Sequence, residues 1–149
     1  MSSLLIVGYT QPLTKRDTKN IPTVDALMDD HQWQDRVLLI FAPDVEDAKL
    51  AQQIDNLSGM GAGMNVRDLV VWQLVNHGAV SVNGNISDDL ASQAFYNYFA
   101  VKESGFTVIL VGKDGTEKLR RTQPITSNGL FSLIDGMPMR QREMRERGR

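Results

Sequence analysis

The segment "RVLLIFAPDVEDAKLAQQI", residues 36–54, decides the fold class of this chain. Its first half is an apolar run over residues 37–42, and a run without alternation predicts a strand covered on both faces of a sheet. Pro43 cannot donate a ladder hydrogen bond, so the strand ends there. Apolar residues then recur at helical spacing, which predicts a helix over 44–57 with Asp44 as its N-cap. A buried strand followed directly by a helix is typical of an α/β fold.

The rest of the chain continues this alternation. Further strands are predicted over 68–75, 106–112 and 116–122, and a small hairpin through Asn83-Gly84. Helices are predicted over 24–33, 87–101 and from 127, while 58–65 is a glycine-rich connector. Thr23 is the predicted N-cap of the first of these helices, and either Thr126 or Ser127 that of the last. The resulting β-α-β-α-β-β-α order predicts a central mixed sheet flanked by helices, with the two late strands paired as an antiparallel hairpin.

The predicted domain boundaries follow from this order. Residues 1–35 form an N-terminal arm with a short helix, and residues 36–149 form the α/β domain. Residues 4–9 are apolar and read either as a short strand or as the remnant of a leader. The start of the chain lacks the basic region and the cleavage motif of a signal peptide, and no apolar run reaches the length of a membrane span.

Composition excludes several chemistries. The chain has no cysteine among its 149 residues, which removes disulfides, thiolate catalysis and cysteine-ligated metals. The absence of cysteine is compatible with an oxidising compartment but does not require one. The formal net charge of −2 hides an asymmetry, because acidic residues prevail in 25–103 and basic residues in 113–149. The basic end allows an anionic partner.

Four segments resemble a known family. "RVLLIFAPD", "RDLVVWQLV", "GFTVILVGKDGTEKLR" and "LIDGMPMRQREM" lie within residues 36–144 and are similar to the domain of unknown function 4174, also called the peroxiredoxin-like P-DUDES domain. The resemblance implies a thioredoxin-like fold and no established activity. It also favours an exported or periplasmic location, since such domains occur alone in bacterial proteins, often exported, and in vertebrate extracellular proteins.

The chain departs from redox relatives where their chemistry resides. Aligned on "FAP", the two thioredoxin cysteines fall on Val45 and Ala48, and the proline that thioredoxins hold in cis falls on Phe106. The reactive species of that chemistry is a thiolate, which no other side chain replaces. We therefore expect no catalytic residue and no cofactor. The candidate contact site that remains comprises Pro43, Asp44, Val45, Glu46, Asp47 and Phe106.

An acidic cluster, a glycine-rich segment and two histidines are the residues that could form metal or phosphate sites. Asp44, Glu46 and Asp47 suggest a cation site with Asp114 or Asp135, but acidic residues in a first helical turn are usually complements of the helix dipole. The glycines of 58–65 follow a helix instead of a strand, which is the wrong context for a phosphate loop. His31 and His77 show no ligand spacing. We therefore predict no metal site.

Basic residues near the C-terminus form a second candidate site, for an anion. Its predicted residues are Lys113, Lys118, Arg120, Arg140 and Arg145. A solvated helix end stabilised by i,i+4 pairs of Glu143 with Arg147 and of Glu146 with Arg142 explains the same pattern. No aromatic residues are interleaved with these charges, which disfavours nucleic-acid binding.

Three functions remain open at this point. The first is a cysteine-free, non-catalytic binding module for an unknown protein or anionic partner. The second is a peroxiredoxin-like oxidoreductase relative with a degenerate or partner-completed site. The third is an anion-binding module that uses the basic C-terminal face. The oligomeric state is not determined by any of these patterns.

Overall fold

Six strands form one mixed sheet at the centre of the molecule. The computed structural model describes residues 21–148, so the expectations for residues 4–9 and most of the N-terminal arm lie outside it. The strands are β1 Arg36–Ala42, β2 Leu69–Val75, β3 Val80–Val82, β4 Asn85–Ser87, β5 Thr107–Val111 and β6 Glu117–Arg121. They lie in the order β4-β3-β2-β1-β5-β6. Strands β1 and β2 are parallel and all other neighbours are antiparallel. The predicted mixed sheet and both predicted hairpins are confirmed.

Helices cover both faces of the sheet. They are α1 Val24–His31, α2 Ala48–Leu57, α3 Gly61–Val66, α4 Ser92–Phe99, α5 Ser127–Asp135 and α6 Pro138–Arg147. Thr23 caps α1 by accepting a hydrogen bond from the N–H of Ala26, and Thr126 caps α5 by accepting one from the N–H of Gly129. Both caps agree with the sequence predictions.

The structure corrects the sequence predictions for two segments, residues 58–65 and 87–91. The glycine-rich segment contains α3, and the reason is packing, since Met64 lies against the core and Gly63 lets the backbone approach Phe131. A Cβ at Gly63 would lie 2.6 Å from Phe131 Cε2. The helix predicted from Ser87 begins at Ser92, because residues 85–87 pair with β3 as strand β4.

The core has two layers separated by the sheet. Every residue of β1 is buried, as the non-alternating apolar run predicted. Helices α2, α3 and α5 cover the face that bears Leu38, Ile40 and Val108, whereas α1 and α4 cover the face that bears Leu39 and Phe41. Helix α1 belongs to this packing through Val24, although the boundary at residue 36 stays a prediction.

Candidate functional site

The candidate contact site lies at the carboxyl end of β1. Phe41 pairs with Thr107 in the antiparallel ladder, so the start of β5 lies beside the turn at Pro43. This pairing places Phe106 at the same end of the sheet as Asp44 and Val45. Phe106 itself is only 3% exposed and packs in the core. The exposed part of the site is therefore the loop 44–46.

The loop after Pro43 is held by its own aspartates. The carboxylate of Asp44 accepts a hydrogen bond from the N–H of Glu46 at 2.8 Å and does not cap the helix. Helix α2 begins at Ala48, and its N-cap is Asp47, whose carboxylate accepts from the N–H of Leu50 at 3.0 Å. The prediction that Asp44 is the N-cap was wrong. The loop uses Asp44 to form a turn first, which moves the helix start along the chain.

We expect Asp47→Ala to lower the free energy of unfolding by about 1 kcal/mol, the usual cost of a lost N-cap. Asp47→Asn should cost less, because an asparagine oxygen also accepts the N–H of Leu50. Urea unfolding of both variants checks this. Asp44→Ala, which removes a turn contact of an exposed side chain, is the matched control, and an equal loss in Asp44→Ala would contradict the assignment of the cap.

A buried tyrosine supports the strand end beneath this loop. The Tyr96 hydroxyl donates to the carbonyl oxygen of Ala42 at 2.8 Å, and the carbonyl of Leu74 lies 3.3 Å away. Burial, reinforced by the negative charge of Glu103, raises the pKa of Tyr96 to about 12, so it remains a neutral donor. Sequence reasoning missed this residue. Its contacts are structural, since both partners are backbone carbonyls.

The surface beside the loop is apolar. Val45 is 71% exposed and Ile54, on α2, is 43% exposed. A shallow depression lined by Val45, Leu50, Ala51 and Ile54 continues past Ile54 and Ser58 into a larger open groove. That groove has a volume of about 430 Å³ and is lined further by Leu57, Met64, Leu69 and Val71. We call these two connected depressions the α2 groove.

A network of charged side chains occupies the opposite end of the sheet, at the start of β1. Arg36 is 1% exposed, yet it pairs with Glu143 of α6 at 3.2 Å. Glu143 also accepts from Lys113 at 2.7 Å. Two further groups extend the network: Asp135 binds Arg67 and Arg140, and Asp68 binds Lys113 and Arg147. We call this set the α6 charge network.

The predicted surface pairs of α6 were wrong. Glu143 was expected to pair with Arg147 on a solvated face, but it turns inward to Arg36 and Lys113, while Arg147 binds Asp68. Helix α6 carries few apolar side chains, so charge pairing attaches it to the sheet. Hydrogen bonding lowers the pKa of Glu143 against the raising effect of its burial, because Lys113 and Arg36 donate to the carboxylate.

The residues of the predicted anion site do not form one cluster. Lys113 and Arg140 are buried in the α6 charge network. Lys118 pairs with Asp114 at 2.9 Å, and Arg120 pairs with Glu117 at 2.8 Å. Arg145 is exposed on α6. The structure therefore brings together Lys113 and Arg140, with Lys118 near Lys113, and anion binding stays a prediction.

The described part of the chain shows no arrangement for a metal ion. Within residues 21–148, no three His, Asp or Glu side chains are placed to hold one ion. His31 Nδ1 lies 2.9 Å from the Asp35 carboxylate, and His77 lies in the turn after β2. Over the same residues no helix has both the length and the apolar character needed to cross a bilayer.

Comparison with solved structures supports the fold. The thioredoxin peroxidase I of Plasmodium yoelii superposes with a TM-score of 0.54 over 81% of this chain and 80% of that one, at 16% sequence identity. An identity this low shows a shared fold alone. The chain therefore has the thioredoxin-like fold that the resemblance implied, and it carries no cysteine in it.

Comparison with curated proteins finds longer relatives. Coiled-coil domain-containing protein 80 of Danio rerio is 28% identical over 130 residues, which cover 76% of this chain and 15% of that protein. The human sushi repeat-containing protein SRPX2 is 25% identical over 132 residues, covering 86% of this chain and 28% of that protein. This chain thus spans less than a third of the length of each of these relatives.

The family assignment rests on a match to a family model that covers most of the chain. The model of the family described as "Domain of unknown function (DUF4174)" matches residues 27–143. The match runs from the middle of α1 into α6, and so it includes part of the segment before residue 36 that the resemblance left out. It contains the whole sheet, the α2 groove and most of the α6 charge network. The chain belongs to this family of unknown function.

Proposed function

We propose that this chain is a non-catalytic protein-interaction module that binds a polypeptide segment in the α2 groove. The observation that carries the proposal is the exposed apolar surface formed by Val45 and Ile54 and continued by the groove. Contiguous apolar surface of this kind, rimmed by polar residues, is typical of interaction sites. The relatives support a module, because the matched segment is a minor part of each of them.

The absence of a reactive group supports a non-catalytic role. Val45 and Ala48 occupy the positions of the two thioredoxin cysteines, and both are exposed. The nearby hydroxyl of Tyr96 is buried and bonded to the backbone. Loop carboxylates bind the N–H groups of their own turn and helix. Nothing in this part of the described structure offers a nucleophile with an adjacent base.

Charge defines the class of partner. Asp55 is the charged residue among those lining the α2 groove, and the exposed Asp44 and Glu46 stand at its Val45 end. The nearby Lys49 is engaged with the carbonyl oxygen of Thr122. An apolar groove with an acidic rim is complementary to a segment that has apolar anchors flanked by lysine or arginine. The proposed ligand is therefore a basic, apolar peptide segment.

A displayed random-peptide library tests this function. We expect selection on the wild-type chain to enrich peptides with apolar residues flanked by basic ones. Val45→Asp combined with Ile54→Asp should weaken their binding at least about tenfold, because it places charge at the apolar anchors. Trp33→Asp is the matched control, since Trp33 is 63% exposed and follows α1, which covers the opposite face of the sheet. Enriched peptides that are acidic, or that bind the double variant as well as wild type, would refute the proposal.

An activity assay separates this function from the oxidoreductase alternative. We expect the chain, with dithiothreitol as thiol donor, to reduce insulin disulfides and consume hydrogen peroxide no faster than a protein-free blank. The reason is that the chain has no cysteine and so supplies no thiolate of its own for the exchange. The same assay after metal removal by EDTA excludes trace-metal chemistry as a cause of activity. Turnover that survives this treatment would favour the oxidoreductase alternative.

A further inference from the structure

A second cavity, which shares no lining residue with the α2 groove, lies at the start of β1. It has a volume of about 180 Å³. Arg36, Lys113 and Lys118 line one side together with Asp114, and the first residues of α6, Met137 to Met139, line the other. Three cationic side chains against one carboxylate give this cavity a positive lining. The independent features described next point to an anionic ligand.

The first feature is an unsatisfied donor. Arg36 is almost completely buried, and its two terminal nitrogens bind the Glu143 carboxylate and the carbonyl oxygen of Arg67. Its Nε–H is also buried and has no hydrogen-bond acceptor among the described residues. A buried donor without an acceptor is costly, and such groups normally have a partner. An acceptor supplied by a ligand would remove this cost.

The second feature is the beginning of α6. Pro138 is the first residue of this helix, and the N-cap residue Met137 provides no side-chain hydrogen bond. The N–H groups of Met139 and Arg140 lie in the first turn and have no acceptor within the helix. A helix start of this kind favours negative charge through its dipole.

The third feature is an excess of positive charge. The ion pairs of the α6 charge network and of the neighbouring Lys118–Asp114 pair join six cationic side chains to four carboxylates. Among the three cationic side chains that line the cavity, Lys118 is the one accessible to solvent. Its stem lies over Gly112, where an added Cβ would come within 2.6 Å of Lys118 Cε. The ammonium group is thus held at the cavity and can exchange Asp114 for a ligand.

The lining indicates the kind of anion. Met137, Pro138 and Met139 form an apolar wall, and methionine side chains adapt readily to a ligand. We propose that this cavity binds the carboxylate of a small organic acid with a short apolar body, held by Arg36, Lys118 and the first turn of α6. The site goes beyond the peptide-binding function and is spatially separate from it. It includes Lys113 and Lys118 of the five basic residues that the sequence predicted for an anion site.

Titration with butyrate, followed by amide NMR signals, tests the site. We expect saturable shifts of the signals of Thr116, Met139 and Arg140, whereas uncharged butyramide at the same concentrations should cause none. Lys118→Gln should weaken binding about tenfold, the effect of losing one charged hydrogen bond. Lys102→Gln, at an exposed position outside the cavity, is the matched control and should bind as wild type does.

A second variant is expected to bind butyrate more tightly, and this result cannot arise from a variant that fails to fold. Asp114→Asn removes the carboxylate that competes for Lys118 while keeping an oxygen for the N–H of Thr116. It should therefore bind butyrate more tightly than wild type, which a general loss of structure does not produce. Absence of saturable butyrate binding, equal binding by all variants, or binding of inorganic phosphate in place of butyrate would overturn the proposal.

Discussion

Glu143→Gln is expected to lower the free energy of unfolding by about 3–5 kcal/mol, the range for breaking a buried ion pair by removing one partner. The carboxylate accepts from Arg36 at 3.2 and 3.3 Å and from Lys113 at 2.7 Å. Both cations are nearly inaccessible to solvent. Glutamine keeps the volume of the side chain but leaves the buried Arg36 without a counter-charge and Lys113 with Asp68 alone. The loss should appear as a lower urea midpoint with an unchanged slope.

Glu146→Gln is the matched control for this experiment. Glu146 lies on the same helix, is exposed, and forms no ion pair among the described residues. We expect its effect to stay within about 0.5 kcal/mol, the usual range for a surface substitution. If the two variants lose similar amounts of stability, α6 is not attached to the sheet by Glu143 as the structure shows.

Acid should destabilise the chain through the same carboxylates. Burial alone would raise the pKa values of Asp68, Asp135 and Glu143, but hydrogen bonds and charges from lysine and arginine partners lower all three below their ordinary values. A folded-state pKa below the unfolded-state pKa stabilises the protein above the unfolded value, about 4. That stabilisation is lost as the pH falls through the folded-state pKa. We therefore expect stability to be constant near neutral pH and to fall steeply below about pH 4.

Urea unfolding of wild type and Glu143→Gln between pH 3 and pH 7 checks this expectation. Protonation of Glu143 in acid removes the same charge that the substitution removes at all pH values. The stability difference between the two chains should therefore be largest near pH 7 and shrink as the carboxylate of the wild type becomes protonated. A difference that stays constant across this range would show that Glu143 does not contribute through its charge.

Local patterns in the sequence were sufficient for the sheet and for two helix caps. The apolar run at 37–42 predicted a doubly covered strand, and Asp114-Gly115 predicted the turn between β5 and β6. These features depend on neighbouring residues and on the periodicity of apolar side chains, so they can be predicted without knowing the rest of the fold. The missing thiol at Val45 and Ala48 was visible in the same way. Helix α3 was missed because its glycines are poor helix formers and packing against Phe131 decides its conformation.

The candidate sites depended more on tertiary structure. Sequence determined the fold class, the absence of cysteine and the position of the loop after β1. The structure decided that Phe106 is core, that Asp47 caps α2, and that Val45 joins Ile54 in one apolar surface. It also decided that Glu143 faces Arg36, a residue 107 positions away in the chain. The spacing of charged residues along a helix does not identify a partner that is distant in the chain. Only the packing of α6 on the sheet shows that Glu143 forms a buried ion pair and does not lie on a solvated helix face.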